Sequence, residues 1–297
     1  MPDPFEELRP HLFGIAYRML GSATDAEDLV QEAYLRWQQA DRDGVRSPRA
    51  FLTTTITRLS IDHLRSARVQ RETYPGPWLP EPLPTSTAPL EERTALQETL
   101  SLAFLVLLES LNPVERAVFL LRDVFEYDYR EIAAIVEKSE ANCRQILRRA
   151  RAQLEARRPR FPASREQQRR LTLQFTHACT AGDLAGLEAL LCQDVTLWSD
   201  GGGLVPAARN PVYGRNRVAR FFLGITRKAT ARTYHLVEAN GEPALLVLDH
   251  GRLRSLIVLE LAEGLIQAVR LVANPHKLQY VQQLTLNQEP PLTEVKA

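Results

Sequence analysis

The sequence predicts a multidomain protein with two all-α domains followed by an α+β domain. Apolar residues recur at helical spacing over residues 4–72 and again over 90–158. After about residue 230 the pattern changes to short β-like runs separated by Asn-Gly, His-Gly and Glu-Gly turns, near 231–239, 244–249, 252–260 and 265–273. The 297 residues are enough for two domains, or for three small ones.

The first helical domain is assigned to residues 1–74. Its clearest helix start is Ser47-Pro48, where serine can cap the helix and proline can take its first position. Residues 75–90 are predicted to be a stiff linker, because prolines at 75, 77, 80, 82 and 84 exclude a helix or a central strand. The remaining predicted segments are a second helical domain at 91–160, an α+β domain at 165–285 and a loose tail at 286–297.

Composition and termini exclude several classes of protein. No apolar stretch reaches the roughly 18 residues that a membrane span needs. The N-terminus is acidic and lacks the apolar core of a secretory signal, so the cytoplasm is expected. The cysteines at 143, 179 and 192 are widely spaced and form no CxxC pair, so neither a disulfide scaffold nor a metal site is expected. No cofactor is predicted either.

Charge is distributed unevenly along a chain whose net charge is only +1. Residues 139–170 contain ten arginines against three glutamates, and residues 46–71 contain six arginines against one aspartate. Such basic segments are typical of surfaces that bind a polyanion. Four acids between residues 25 and 32 on one predicted helix instead favour a basic protein partner, although a solvated helix surface remains an equal alternative.

Residues 128–154 carry the strongest local motif, a helix, a short turn and a second helix. Ser139 is placed to cap the second helix, with Glu140 at its positive end. The predicted inward positions are Ile132, Ala133 and Val136 on the first helix and Cys143, Leu147 and Ala150 on the second. The outward positions can contact base edges and phosphates in a DNA major groove; they are Asn142, Arg144, Gln145, Arg148, Arg149 and Arg151. A helical hairpin with a merely solvated arginine face is the alternative.

This motif resembles region 4 of bacterial extracytoplasmic-function sigma factors, whose pattern is SYxEIAxxLxxSExTVKxRLxRARxxL. Residues 25–37 resemble region 2.2, which docks on core RNA polymerase. Residues 51–65 resemble regions 2.3 and 2.4, which open and recognise the −10 element. The resemblance implies RNA polymerase core enzyme and promoter DNA as partners, with the outward face of the second helix at the −35 element. It further implies −10 contacts by Arg49, Arg58, Asp62, His63, Arg65 and Arg68. The polymerase-binding residues that it implies are Asp25, Glu27, Asp28, Gln31, Glu32 and Trp37.

Several positions depart from the family pattern. Glu137 replaces the turn glycine, which costs about 1 kcal/mol if a left-handed residue is needed there, and Lys138 replaces the apolar residue that follows. Cys143 occupies a valine position and is expected to pack in the core, with redox sensing as the alternative. His63 is equally compatible with a DNA contact and with a partly buried structural role.

Residues after about 165 resemble the SnoaL-like cone fold, including Asp183-Leu-Ala-Gly-Leu and Tyr213-Gly-Arg-Asn. A subgroup of sigma factors carries this fused domain, and three of its short motifs are present. WLPEP matches residues 78–82, DGGG matches 200–203, and NPDKL matches 274–278 except that His276 replaces the acid.

The three motifs suggest that the linker docks on the C-terminal domain and fixes the spacing of the two helical domains. Trp78 in a proline-rich segment needs an apolar pocket, and a triglycine loop permits close approach of another backbone. The predicted interdomain regulatory residues are Trp78, Leu79, Pro80, Asp200, Gly201, Gly202, Gly203, Asn274, Pro275, Lys277 and Leu278. In the alternative, the glycine loop is only a wide turn and Trp78 packs on its own helical domain.

The resulting prediction is a sigma factor that directs promoter-specific transcription initiation and is regulated by its fused domain in place of a separate anti-sigma factor. It is not expected to be an enzyme, although Asp200, His235 and Trp198 are candidates for proton transfer in a cyclase-like domain. A small-molecule ligand in the C-terminal domain is a further candidate partner. The alternative function is a helix-turn-helix transcriptional regulator with a ligand-binding or cyclase-like C-terminal domain.

Overall fold

A computed structural model describes residues 3–41, 44–84, 100–156, 163–228, 231–286 and 293–294, with the backbone alone at 67–72, 283–286 and 293–294. The chain divides into two compact units. The first comprises Met1–Thr73 and Phe104–Arg158, and the second comprises Tyr74–Ala103 and Pro159–Ala297. Within the described ranges, no helix combines the length and the apolarity that crossing a bilayer requires.

Three long helices begin the first unit, namely α1 (Pro4–Leu20), α2 (Ala23–Gln39) and α3 (Pro48–Glu72). Asp3 caps α1, which ends at Gly21 in a left-handed conformation, and Ser22 caps α2. The predicted start of α3 is confirmed, since the Ala50 amide donates to Ser47 Oγ at 3.3 Å.

Four shorter helices follow among the described residues of this unit. They are α4 (Leu102–Leu108), α5 (Pro113–Phe119), α6 (Tyr129–Val136) and α7 (Glu140–Glu155), with a π-helical turn at Leu120–Val124 after α5. The break expected at Asn112-Pro113 is the start of α5, where Asn112 forms a capping box with Glu115.

The core of the first unit joins segments that are far apart in sequence. Leu12 of α1, Ile56 of α3 and Leu120 after α5 are each fully buried. Arg116 of α5 is also buried, and its guanidinium donates to the Met19 carbonyl at the end of α1 and to Glu109. The two predicted helical domains therefore pack together here as one body.

The second unit is an α+β domain that also contains the linker. Its helices are α8 (Arg165–Ala181), α9 (Leu184–Leu190), α10 (Arg215–Arg227) and α11 (Pro275–Leu286). Its strands are β1 (Leu191–Asp200), β2 (Val212–Tyr213), β3 (Arg232–Ala239), β4 (Glu242–Asp249), β5 (Arg252–Ala262), β6 (Leu265–Val272) and β7 (Thr293–Glu294). The four β-like runs of the sequence are thus strands β3 to β6, and the predicted α+β class is confirmed.

One sheet organises this unit in the order β2-β1-β6-β5-β4-β3-β7. Only β1 and β6 are parallel; the other neighbours are antiparallel. Helices α8 and α10 pack on one face of the sheet, where Phe175 and Phe222 meet edge to face with ring centroids 4.9 Å apart.

The tail differs from its prediction at two residues. Thr293 and Glu294 pair with Leu236 and His235 of β3 and form the edge strand β7. The other residues of the predicted tail after Leu286 lie outside the described part of the chain. Residues 85–99, which contain the predicted boundary between linker and second helical domain, lie outside it as well.

Candidate functional site

The helix-turn-helix consists of α6 and α7, and side-chain caps begin both helices. Asp128 forms a capping box with Glu131 at α6, and Ser139 accepts from the Asn142 amide at the start of α7. Most of the predicted inward side chains are buried, namely Ile132, Val136, Cys143, Leu147 and Ala150, while Ala133 is half-buried. Burial raises the pKa of the Cys143 thiol, which fits the expected core role.

The turn between α6 and α7 contains the residue that departs from the family pattern. Glu137 has φ 56° and ψ 50°, the left-handed conformation that glycine adopts without strain. The turn therefore adopts the left-handed conformation with a non-glycine residue. The Glu137 carboxylate lies 3.0 Å from the Arg58 guanidinium of α3.

All six predicted outward side chains of α7 are exposed. Arg151 is held by Asp123 through two hydrogen bonds of 2.8 and 2.7 Å. Arg144 pairs with Glu140 at 2.8 Å and lies over the Tyr129 ring. These two arginines are fixed by intramolecular contacts, whereas Arg148 and Arg149 lie on the surface between them.

The predicted −10 residues of α3 occupy less uniform surroundings. Arg49 is exposed and lies over the Tyr127 ring, and Arg65 pairs with Asp62 at 3.1 Å. His63 lies 3.6 Å from Asp25 of α2. The backbone of Arg68 belongs to α3, and its side chain lies outside the described part of the structure.

Arg58 contacts the helix-turn-helix. Its guanidinium donates to the carbonyls of Ile135 and Ala134, each at 3.0 Å, near the C-terminal end of α6. A cation is favourable at that end of a helix because unpaired carbonyls give it negative potential. In this conformation the Arg58 guanidinium is bound to α6, although the side chain is partly exposed to solvent.

Tyr127 joins the same two parts of the first unit. Its hydroxyl lies 2.8 Å from Thr53 Oγ1 of α3 and 2.9 Å from His11 Nε2 of α1. Burial, and then the charges of Arg49 and Arg18, lower the pKa of His11 to about 4. We refer to His11, Thr53, Arg58, Tyr127 and Glu137 as the region 2–region 4 contact.

The predicted polymerase-binding residues lie on α2, and all of them except Trp37 are exposed or half-buried. Asp28 and Gln31 are exposed, while Asp25, Glu27 and Glu32 are half-buried. Trp37 is 3% exposed, and its indole N–H donates to Asp3 Oδ1, so it belongs to the helical core. Sequence analysis did not identify Leu35, which is 44% exposed on the same helix; its position seven residues after Asp28 was the available signal.

Asp200 at the end of β1 is the centre of the linker's contacts with the C-terminal domain. Its carboxylate is fully buried and accepts from Tyr74 Oη at 2.5 Å, from the Leu79 amide at 2.9 Å and from Lys277 Nζ at 2.7 Å. Burial, and then the hydrogen bond to Asp200 and its charge, raise the pKa of Tyr74. We refer to Tyr74, Leu79, Asp200, Asn274 and Lys277 as the linker clasp.

Lys277 and Asn274 bind two different residues of the linker. Lys277 Nζ also donates to the Leu79 carbonyl at 2.5 Å, and Asn274 Nδ2 donates to Tyr74 Oη at 2.9 Å. Leu79 is 1% exposed, whereas Trp78 is only half-buried, with the Lys277 ammonium 4.2 Å from its ring centroid. The side chain that needs an apolar pocket is therefore Leu79, and the expectation of such a pocket for Trp78 is not met.

The triglycine loop lies against the linker. Gly203 has φ +73°, and a Cβ built on it would lie 2.6 Å from Pro75 Cγ; one built on Gly202 would lie 2.4 Å from Asn274 Nδ2. Glycine is required at these positions by conformation and by space. The remaining predicted residues of this group divide between buried Pro80, Gly201 and Leu278 and exposed Pro275.

A second linker contact was missed by sequence analysis. Asn240 accepts from the Leu83 amide at 2.9 Å through Oδ1, and its own amide N–H groups donate to the Leu83 and Leu100 carbonyls. The sequence indicated Asn240-Gly241 only as a hairpin turn. Asparagine adopts the left-handed conformation, φ 54° here, and keeps a side chain that can bind another backbone.

The candidate residues for enzymatic proton transfer are not assembled into one site. Asp200 is occupied by the clasp, Trp198 lies under the Arg270 guanidinium, and His235 contacts Thr233 on its own strand. None of the three lines the cavity between the helices and the sheet of this domain.

Family models and sequence relatives match both helical segments of the chain. The family models Sigma-70 region 2 and Sigma-70, region 4 match residues 4–69 and 101–154. ECF RNA polymerase sigma factor SigJ of Mycobacterium tuberculosis is 42% identical over 232 residues, which are 75% of this chain and 72% of SigJ. Probable ECF RNA polymerase sigma factor SigI of the same species is 31% identical over 274 residues, which are 91% of this chain and 92% of SigI.

The same relationship is found in a solved structure. The crystal structure of the Mycobacterium tuberculosis extracytoplasmic function sigma factor SigJ matches with a TM-score of 0.73 and 34% identity. The match covers 93% of this chain and 97% of the solved one, so it includes the fused C-terminal domain. The predicted sigma regions 2 and 4 are confirmed, and the chain belongs to the extracytoplasmic-function family of RNA polymerase sigma factors.

Proposed function

We propose that the C-terminal domain regulates this sigma factor by holding the linker that joins regions 2 and 4, in place of a separate anti-sigma factor. The observation that carries the proposal is the linker clasp at Asp200. Members of the family act with core RNA polymerase on promoter DNA, and we place that activity in the cytoplasm. Family membership sets aside the alternative of a conventional transcriptional regulator.

The clasp supports a specific and persistent linker position. The Asp200 carboxylate is fully buried, and both its charge and its hydrogen bonds are satisfied by linker atoms and by Lys277. Removing one partner of such a buried pair leaves an uncompensated charge, which typically costs about 3–5 kcal/mol. A promoter-bound sigma factor that needs another linker path must therefore release this contact at a substantial cost.

On DNA, we assign −35 recognition to Asn142, Arg144, Gln145, Arg148, Arg149 and Arg151. Among these, Arg148 and Arg149 are the best placed for phosphate contacts, because Arg144 and Arg151 are already held by carboxylates. For the −10 element we retain Arg49, Arg58, Asp62, His63, Arg65 and Arg68. Arg58 can reach DNA only after it releases the carbonyls at the end of α6.

For core polymerase we assign the surface of Asp25, Glu27, Asp28, Gln31 and Glu32 on α2. We add Leu35 to this surface and omit Trp37, because an exposed leucine beside carboxylates can be buried by a partner, whereas Trp37 is already in the core. We further propose that the protein has no enzymatic activity of its own.

The regulatory role is tested with full-length Asp200→Ala in transcription with core RNA polymerase. We expect promoter output to change at least threefold, because the linker is released while regions 2 and 4 are unaltered. Asp194→Ala is the control, an exposed aspartate on the same strand. Output equal to that of the parent and the control would reject regulation through the clasp.

The DNA assignment is tested separately with Arg148→Ala and Arg149→Ala in the polymerase holoenzyme. Each substitution should weaken promoter binding at every ionic strength and lower the slope of log affinity against log salt by about 1, since one phosphate contact is lost. Arg170→Ala on α8 removes an exposed arginine outside α7 and is the control. Unchanged affinity in both α7 variants would contradict the assignment.

A further inference from the structure

The C-terminal domain contains a cavity of about 390 Å³ that is separate from the linker clasp. It lies between helices α8 and α10 and one face of the sheet. Side chains alternate between the two faces of a strand, and Ser199 of β1 lines the cavity while its neighbour Asp200 binds the linker. The volume is within the range of about 300–1,000 Å³ that is typical of small-molecule sites.

Most of the cavity wall is apolar. Phe175 and Phe222 contribute rings from the two helices, and Leu245, Val247 and Ile257 contribute side chains from the sheet. Such a wall favours an apolar ligand body and is unsuited to a highly charged molecule such as a nucleotide.

One end of the cavity is positively charged. Arg232 and Asp249 are register partners on β3 and β4, Arg254 lies on the next strand, and Lys228 follows α10. Three cationic side chains and one carboxylate therefore line this end of the cavity. An anionic group of a ligand is favoured at this end, and a cationic ligand is disfavoured.

The Arg232 guanidinium donates to the Ile225 carbonyl at 3.1 Å, but several other polar atoms of the wall have no partner within the described part of the protein. Among the described residues, Arg232 Nε, Asp249 Oδ1 and Ser199 Oγ are buried without a hydrogen-bond partner. Ser199 as a whole is only 2% exposed. Buried polar groups usually have partners. A ligand would supply them with an acceptor oxygen for Arg232 Nε and a hydroxyl group for Asp249 Oδ1.

We propose that this cavity binds a mostly apolar organic acid, with its carboxylate at Arg232, Arg254 and Lys228 and its apolar body between the two phenylalanine rings and the sheet. The guanidinium groups supply charge-assisted hydrogen bonds to the carboxylate. Ser199 is positioned for a further oxygen atom of such a ligand, and Asp249 Oδ1 for a hydroxyl group that donates to it. This assignment goes beyond the regulatory proposal and does not depend on it.

The test uses decanoate and 1-decanol as probes of the full-length protein, measured by isothermal titration calorimetry at pH 7.5. The two probes have the same carbon chain and differ in charge. Decanoate should bind at least tenfold more tightly than decanol, which is about 1.4 kcal/mol. Equal affinities, or no binding of decanoate, would overturn the proposal.

Two arginines of β5 provide matched variants. Arg254→Leu should weaken decanoate binding at least fivefold and leave decanol unchanged, whereas Arg252→Leu should change neither, because Arg252 is exposed and is not part of the cavity wall. Val247→Trp, which fills the cavity, should abolish binding of both probes. If Val247→Trp does not fold, the variant at the exposed Arg254 still tests the proposal. Equal effects of Arg254→Leu and Arg252→Leu on decanoate binding would reject the assignment of the carboxylate to the charged end of the cavity. Binding is the only readout, so a negative result leaves the clasp proposal standing.

Discussion

The linker clasp and the region 2–region 4 contact both join segments that are distant in sequence, but the ion pairs within them differ in burial. At the clasp, the side chains of Asp200 and Lys277 are 0% and 12% exposed. At the region 2–region 4 contact, those of Glu137 and Arg58 are 74% and 44% exposed. Because water screens the second pair and not the first, similar ion-pair distances of 3.0 and 2.7 Å correspond to very different energies.

The difference suggests which contact can open more readily. A buried pair is costly to break once one partner leaves, whereas an exposed pair contributes about 0–1 kcal/mol. The Arg58–Glu137 pair of the region 2–region 4 contact is therefore suited to repeated opening during promoter binding, whereas the buried hydrogen bond between Tyr127 and Thr53 is not. The clasp is suited to a contact that opens only when something replaces its partners.

The largest effect is expected from Asp200→Ala. Loss of the carboxylate removes the ion-pair partner of Lys277 and the acceptor of the Leu79 amide, so docking of residues 74–84 should weaken by about 3 kcal/mol. Amide hydrogen exchange of this segment should accelerate by roughly 100-fold. The control Asp194→Ala should leave the exchange unchanged, and protection of the Leu79 amide in Asp200→Ala would show that the clasp does not hold the linker.

A smaller effect is expected from Gly203→Ala. The new Cβ would overlap Pro75 and would require a left-handed alanine, so we expect a loss of about 2 kcal/mol and faster exchange of the linker. Gly182→Ala measures the cost of the left-handed conformation alone, since Gly182 has φ +70° and a Cβ built on it would meet nothing within 4 Å. Gly182→Ala should cost about 1 kcal/mol without changing linker exchange. Equal linker exchange in the two variants would exclude a steric role for Pro75.

The region 2–region 4 contact should be sensitive to pH through His11. Its pKa is lowered from 6.5 to about 4 in the folded state, so the unfolded state binds more protons between these values. The contribution of neutral His11 to the free energy of unfolding is therefore fully present at neutral pH and is lost as the pH falls from about 6.5 towards 4. His11 is partly exposed, so we expect a loss of about 1 kcal/mol between pH 7.5 and 5.

The control for this prediction is His11→Gln, which cannot acquire the charge. The difference in urea unfolding midpoint between parent and variant should shrink or reverse as the pH falls from 7.5 to 5. A constant difference would mean that His11 keeps the same pKa in both states, and the contact would then not be linked to pH.

Much of the fold followed from periodicity and capping residues, and the two contacts show where such inference ends. Ser47 and Ser139 each accept from an amide three residues later, so the sequence predicted α3 and α7 near their observed starts. The linker partners of Asp200 and Asn240 lie more than 100 residues away, and their side chains have no periodic signature. The motif resemblance indicated that the linker meets the triglycine loop, but it could not show that Leu79 rather than Trp78 is buried, or that Arg58 binds the end of α6.

The smallest effects on stability are expected at Glu137. There the ion pair with Arg58 stabilises the fold, whereas the left-handed conformation of a non-glycine residue destabilises it. Glu137→Gln removes the ion pair with Arg58 but keeps a non-glycine residue in the left-handed backbone conformation, so the free energy of unfolding should change by less than about 0.5 kcal/mol. Glu137→Gly also removes the strain of a non-glycine residue at φ 56°, so it should stabilise the first unit by about 0.5–1 kcal/mol. Urea unfolding of the two full-length variants compares them directly. If Glu137→Gly were instead destabilising by more than 1 kcal/mol, the exposed pair with Arg58 would be far stronger than its burial implies, and the contrast between this contact and the clasp would disappear.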